Sequence, residues 1–499
     1  MGATGPLVLA VDQGTSGTTC LAVTTDGDVV ARAHREVAVR YPRDGWVEQD
    51  AMDLWTSVVA AAKQVVSGLD RPPVAIGITN QRETLVVFDR RTLEPVAPAI
   101  VWQCRRSAAL CAAHRAAGEE PELRRRTGLL LDPYFTATKL EWLLSERPEL
   151  RIRAERGELC AGTVDTWLVA RMTSGGQFVT DASNASRTLL FDLNRGDFDP
   201  GLCDVFGIPS GLLPEMRESA GRVALTDPAA FAGMQLPISG IAGDQQAALF
   251  GQACVSPGMS KNTYGTGSFL LVNVGDAVPE PAHGLLTTVA WRTGAVDTFA
   301  LEGSIFVTGA ALRWLRDGLG IIADTAEAGP LFDSVPDAAG CFFIPALSGL
   351  GAPWWDPQAR GAFLGLTAAV TRAHLVRAVV EAMAYRTRDV VEAMEAASGL
   401  RIAELRVDGG ASVMDGLCQF QADLLGIPVA RAATPDATAL GAGFLAAVGE
   451  GLVDGPAAVA AAWKPGKRFE SNRPGIRPTE NYDAWLDALA RVRTGSGSV

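Results

Sequence analysis

Lysine is scarce in this chain of 499 residues, occurring only as Lys63, Lys139, Lys261, Lys464 and Lys467. Acidic residues outnumber basic ones and leave a formal net charge of -12. A surface of that sign repels polyanions on average, which argues against a nucleic-acid or anionic-membrane partner. It does not exclude phosphate, which needs only local backbone donors. The eight cysteines are scattered, with no CxxC pair and no Cys/His cluster. Neither a zinc site nor a disulfide framework is therefore expected. No apolar run approaches the roughly 20 residues that span a bilayer. The N-terminal residues show no basic stretch followed by an apolar one, so no secretion signal is expected and the cytoplasm is the expected location. A Walker loop is missing too: the only Gly-Lys pair, Gly466-Lys467, is followed by Arg468. No GxGxxG opens a helix after a strand. A nucleotide, if bound, must be held by another kind of fold.

The composition is that of a globular protein, 48% hydrophobic and 20% charged, and the length predicts two to four domains. The chain opens as strand, turn, strand. Leu7 to Val11 is apolar, Asp12-Gln13-Gly14-Thr15-Ser16-Gly17-Thr18-Thr19 is a polar glycine turn, and Cys20 to Val23 is apolar again. Asp26-Gly27-Asp28 then signals a hairpin. Helical periodicity runs through Met52 to Val66, and Val74 to Ile78 reads as a strand. The second half repeats this logic. Lys261 to Ser268 is a polar glycine turn, Phe269 to Val274 the strand after it, and Leu405 to Val407 a strand running into Asp408-Gly409-Gly410-Ala411 and a helix from about Met414 to Leu425. Two halves of this kind predict two α/β domains, 1–252 and 253–499, with a cleft between them. The Gly/Ser-rich tail from Thr494 is expected to be disordered.

Small residues in the turn Asp12 to Thr19 let backbone N–H groups approach phosphate oxygens, and Asp12 at a strand end is placed to hold Mg²⁺ directly or through water. A plain hairpin turn is the alternative. The second turn, Gly265-Thr266-Gly267, and the paired glycines of Asp408-Gly409-Gly410 favour the nucleotide reading. Together the three loops resemble the actin/hexokinase/Hsp70 type of ATPase. Within it the chain is similar to the FGGY carbohydrate kinases, whose long second signature is matched by Gly349-Leu350-Gly351-Ala352-Pro353-Trp354-Trp355-Asp356-Pro357 through Arg360-Gly361 and Gly365-Leu366-Thr367. The resemblance implies two actin-like, ribonuclease-H-like α/β domains with a catalytic cleft. It also implies ATP and Mg²⁺ as cofactors and a homo-oligomer.

The glycerol-phosphorylating branch of that family is matched from about Leu7 to Trp485. The runs that carry the match are Gly77-Ile78-Thr79-Asn80-Gln81-Arg82-Glu83-Thr84, Val101-Trp102-Gln103-Cys104-Arg105-Arg106, Asp132-Pro133-Tyr134-Phe135, Ile238 to Gln246 and Asn262 to Gly267. This implies that Arg82, Glu83, Tyr134, Asp244 and Gln245 hydrogen-bond a glycerol substrate, with Trp102 and Phe269 against its carbons. Such a set suits a triol: carboxylates accept from hydroxyls, a guanidinium donates in a fixed fork, and aromatic faces cover the CH edge. Read without the resemblance, Arg82-Glu83 is a strand-end ion pair, Trp102 a core residue and Asp244 a helix N-cap. Asp244 is the expected general base. Thr15, Ser16, Gly17 and Thr266 are implied at the phosphates, and Gly309, Arg313, Ala411 and Asp415 at the nucleoside. Three positions depart from the branch: Thr19 stands where an arginine is usual, Arg313 where a glutamine is common, and Met414 where an asparagine is common. All three fall on the nucleotide side. Kinases of erythritol or xylulose, and a nucleotide-binding pseudokinase, are the rival readings.

Overall fold

The structure, a computed structural model, describes residues 5–494. Thr494 itself is anchored, its amide donating to Asp356 at 2.7 Å, and the rest of the tail expected to be disordered lies outside the described residues. Thirteen strands form one mixed sheet. In chain order they are β1 Leu7–Gln13, β2 Gly17–Thr24, β3 Val29–Glu36, β4 Ala75–Asn80, β5 Ala220–Leu225, β6 Pro237–Gly243, β7 Ser260–Tyr264, β8 Ser268–Gly275, β9 Leu286–Thr293, β10 Val296–Ile305, β11 Leu405–Asp408, β12 Val429–Ala432 and β13 Pro465–Phe469. Their spatial order is β13-β12-β11-β7-β8-β10-β9-β5-β6-β4-β1-β2-β3.

That order contains one motif twice. In β3-β2-β1-β4-β6 the first three strands are antiparallel and the last two join in parallel. The run β10-β8-β7-β11-β12 has the same directions. The two runs meet through β5 and β9, where the ladder thins to the single pair Ala220 and Thr293. Parallel strands buried on both faces need continuous apolar sequence, and β1 has it: Leu9 and Val11 face one cluster with Ile76 and Ile78, while Val8 and Ala10 face another with Phe444 and Leu445. Helix α1, Ala51–Ser67, covers the first of these faces with Leu54, Val58, Ala62 and Val65. Its N-terminus is fixed by Asp50, whose carboxylate accepts from the Met52 amide at 2.9 Å.

Two helices cross between the halves. Helix α2, Asp244–Gly251, leaves the end of β6, and a second helix, Ala437–Gly449, follows β12. The latter packs on β1, β4 and β6 of the first half as well as on α2. Small residues make this approach possible. A Cβ on Gly441 would lie 1.7 Å from the Ala247 carbonyl oxygen, and one on Gly77 of β4 1.9 Å from that of Ala442. No helix among the described residues is long and apolar enough to cross a membrane.

Candidate active site

The ends of β1, β4 and β6 in the first half, and of β7 and β11 in the second, converge on one cleft. The turn after β1 is closed by the Gly14 amide on the Gly17 carbonyl at 2.9 Å, and the turn after β7 by the Gly265 amide on the Gly267 carbonyl at 2.8 Å. Thr15 and Ser16 sit at the tip of the first turn and Thr266 at the tip of the second. The second turn docks on the N-terminus of α3, Gly309–Asp317. The Gly309 amide donates to Gly265 O at 3.0 Å, and a Cβ on Gly309 would lie 2.6 Å from that oxygen. Gly309 is therefore needed for close approach of backbone to backbone.

Arg82 and Glu83 follow β4 and are buried, at 1% and 2% exposure. Arg82 Nε lies 3.2 Å from Glu83 Oε1 and 3.5 Å from Asp244 Oδ1. Its Nη1 donates to Gln246 Oε1 at 3.0 Å, and its Nη2 lies 2.6 Å from Glu302 Oε2. The Arg82 fork is thus held by two carboxylates and an amide, with the Asp244 carboxylate next to it at the cleft. Asp244 begins α2 and accepts from the Gln245 amide at 2.8 Å, with its carboxylate still partly exposed to the cleft. Gln245 accepts from Lys261 Nζ at 2.5 Å. The three expected aromatics are together. Trp102 lies edge-on to Tyr134 at 5.7 Å and to Phe269 at 6.5 Å between ring centroids. It is only half buried, and its indole Nε1 donates to Thr15 Oγ1 at 2.8 Å. The tryptophan expected beside a substrate and the threonine expected beside phosphate are thus joined by one hydrogen bond.

Charge is arranged unevenly in this cleft. Burial, the Asp244 carboxylate and the Asp436 carboxylate together push the Asp12 carboxyl up to about 8. Asp12 has no hydrogen-bond or ion-pair partner among the described residues, so a cation would relieve it. One carboxylate, with phosphate and water completing the shell, is a donor set that Mg²⁺ accepts. Burial also raises the Asp244 carboxyl, with Arg82 and Lys261 acting against it and Glu83 with it. Lys261 is buried and its ammonium is pushed down to about 8 by that burial, against the pull of Asp408 and Asp244.

The nucleotide-side residues are more dispersed. Thr266 is exposed, and its hydroxyl accepts from Arg313 Nη2 at 3.0 Å. The arginine found where a glutamine is common therefore braces the second turn. Thr19 Oγ1 pairs with His34 Nδ1 at 3.0 Å. Ala411 is buried in a short 3-10 turn after β11. Asp415 opens helix α4, Asp415–Leu425, but its carboxylate is engaged by Arg431 at 2.9 Å and Lys467 at 2.5 Å. Those two cations hold it below the usual carboxylate range, Lys467 contributing most.

The sequence reading did not pick out four residues that build this site. Arg187 and Glu302, both fully buried, hold Glu83 and Arg82. Lys139, also fully buried, donates from Nζ to the Glu83 carbonyl at 3.0 Å and to that of Tyr134. Lys261 holds Gln245. The rarity of lysine was a usable signal for two of them, since so scarce a residue is more often placed for a reason.

A doubled three-plus-two sheet, with glycine turns facing one another across a cleft and helices exchanged at its floor, is the two-domain actin-like ATPase fold. The sequence matches the N-terminal domain of the FGGY family of carbohydrate kinases over residues 7–251 and the C-terminal domain over 260–450. This chain belongs to that family. It is 47% identical to glycerol kinase 2 of Thermotoga maritima over 487 residues, 97% of this chain and 98% of that one. It is 50% identical to a glycerol kinase of Geobacter sp. (strain M21) over 482 residues, 96% and 97% of the two chains. Among solved structures, Plasmodium falciparum glycerol kinase with ADP superposes with a TM-score of 0.91 at 30% identity, covering 98% of this chain and 99% of that one.

Proposed function

We propose that this chain transfers the γ-phosphate of ATP to a terminal hydroxyl of glycerol, giving sn-glycerol 3-phosphate and ADP. The observation that carries the reading is the pairing of a cluster of aromatic rings with charged groups fixed at the same cleft. Trp102, Tyr134 and Phe269 gather edge-on to one another, beside the buried Arg82-Glu83 pair and the partly exposed Asp244 carboxylate. The names of relatives about half identical over nearly the whole chain point the same way.

In this reading Arg82, Glu83, Tyr134 and Gln245 orient the polyol, and the aromatic rings exclude water from its carbons. Asp244 takes the proton of the attacking hydroxyl. The hydroxyl oxygen forms the new bond to the γ-phosphorus as the β–γ bridging bond breaks, and the electrons leave with ADP. A carboxyl raised by burial is a better base than an exposed one, and alignment of the nucleophile is the other part of its work. The backbone around Thr15, Ser16, Gly17 and Thr266 cradles the phosphates, and Gly309, Arg313, Ala411 and Asp415 border the nucleoside. Asp12 would hold Mg²⁺, which would neutralise phosphate charge. The units 1–252 and 253–499 then divide the work as polyol side and nucleotide side, in a cytoplasmic homo-oligomer. A coupled ADP-release assay over glycerol, erythritol, xylitol and xylulose tests this. Glycerol is expected to have the highest kcat/KM; a preference for xylulose or erythritol, or no ATP turnover with any of them, overturns it.

A further inference from the structure

Four charged side chains lie behind the substrate face, each no more than 3% exposed. Going round, Arg82 Nε meets Glu83 Oε1 at 3.2 Å, and Glu83 Oε1 meets Arg187 Nε at 2.8 Å. Arg187 Nη2 meets Glu302 Oε1 at 2.9 Å, and Glu302 Oε2 meets Arg82 Nη2 at 2.6 Å. The four form a closed ring of alternating sign. Three members come from the first half and one from the second. Glu302 sits in β10 opposite Leu271 of β8, the strand that also carries Phe269. Arg187 follows a short helix, Ala182–Ala185, and its guanidinium lies 5.3 Å from the Phe135 ring centroid and 5.9 Å from that of Tyr134.

Stability does not account for such a ring. Buried ion pairs replaced by packed apolar residues often leave a protein as stable or more so. Geometry does account for it. Both guanidiniums engage Oε1 of Glu83, which leaves Oε2 without a protein partner among the described residues. Glu302 in turn fixes the rotation of the Arg82 fork. We propose that Arg187 and Glu302 are positioning residues for polyol recognition, closing a ring that aims Glu83 and Arg82 at the substrate hydroxyls and registers them to the strands of the second half. The inference rests on the polyol-kinase reading above. Burial acts to raise the Glu302 carboxyl, and Arg187 and Arg82 outweigh it, keeping the group below the usual carboxylate range, so Glu302 stays charged at neutral pH.

The test uses the full-length enzyme carrying Glu302→Gln, which keeps shape and removes charge, and Arg187→Lys, which keeps charge but cannot bridge two carboxylates in one plane. Each is expected to raise KM for glycerol about tenfold or more, with KM for ATP within about twofold and kcat changed less than kcat/KM. KM does not depend on the folded fraction, so partial misfolding does not hide the result. If the amide variant does not fold, Glu302→Asp keeps the charge, shortens the reach and is read in the same way. Unchanged KM for glycerol in both variants, with only a lowered melting temperature, makes the ring structural and overturns the proposal. An inactive wild-type enzyme with glycerol would instead sink the functional reading itself.

Discussion

The two halves are built on the same five-strand motif, yet they place different chemistry at equivalent strand ends. In the first half β4 runs into Gln81-Arg82-Glu83, whereas β11 in the second runs into Gly409-Gly410-Ala411. At the first of these ends the charges are buried and tied into a ring that Glu302 of the second half closes. The second offers backbone and small side chains, with its charged residue Asp415 turned to surface partners. A shared scaffold thus fixes where loops meet, and in the proposed reading the side chains decide which half reads hydroxyls and which accommodates a flat ring and phosphates. Burying charge is costly unless it is paired, so the ring behind Arg82 and Glu83 marks where orientation matters most.

The largest effect is expected at the boundary between the halves. Asp244→Asn should lower kcat by about 10² or more while glycerol still binds, because the amide accepts a hydrogen bond but takes no proton. Steady-state kinetics with direct glycerol titration checks both parts, and near-normal turnover removes Asp244 from the role of base. In wild type, kcat/KM should fall as pH drops through the raised Asp244 pKa.

The helix crossing that joins the halves comes next. Gly441→Ala places a Cβ where the Ala247 carbonyl oxygen lies 1.7 Å away and should cost about 1–3 kcal/mol of stability. Gly211→Ala, with nothing within 4 Å of its Cβ, is the control and should stay within about 0.5 kcal/mol. Equal melting temperatures for the two would mean that the halves are not locked by this contact.

How much of this was legible follows from the range of each interaction. The strand–turn–strand openings, α1 and the glycine turns are local patterns, and they stand where periodicity and turn chemistry put them, from Ala51–Ser67 to Gly265-Thr266-Gly267. Arg82, Glu83, Trp102, Tyr134, Asp244 and Phe269 were reached through the family resemblance, and the structure brings them into one cleft. Arg187 and Glu302 were not reached, because nothing near either residue announces a partner 115 positions away. The exchange of helices across the halves was equally silent, since Gly441 in an alanine-rich helix reads the same whether its neighbour is solvent or another backbone.

A smaller effect separates charge from function at the metal position. In the folded protein Asp12 is pushed up to about 8, above the ordinary carboxylate range. Its folded pKa is the higher one, so its stabilising contribution is complete at low pH and is lost as pH rises towards about 8. Asp12→Asn should therefore raise the melting temperature of the ligand-free protein more at pH 8 than at pH 5, while abolishing Mg²⁺-dependent turnover. Thermal unfolding at the two pH values without Mg²⁺ decides it; an equal shift at both contradicts a pKa raised by burial and the neighbouring carboxylates. The smallest effect is expected in the second half. Asp415→Ala removes exposed ion pairs, each worth about 0–1 kcal/mol, and should leave kcat unchanged, as parallel kinetic and melting measurements would show.

The division of labour between the halves is tested most directly by calorimetric titration of glycerol and of ATP into wild type and Glu83→Gln. The account predicts that glycerol affinity falls by about tenfold or more when one partner of a buried charged hydrogen-bond set is neutralised, while ATP affinity stays within about twofold. Equal losses for both ligands, or an unchanged glycerol affinity, would contradict it.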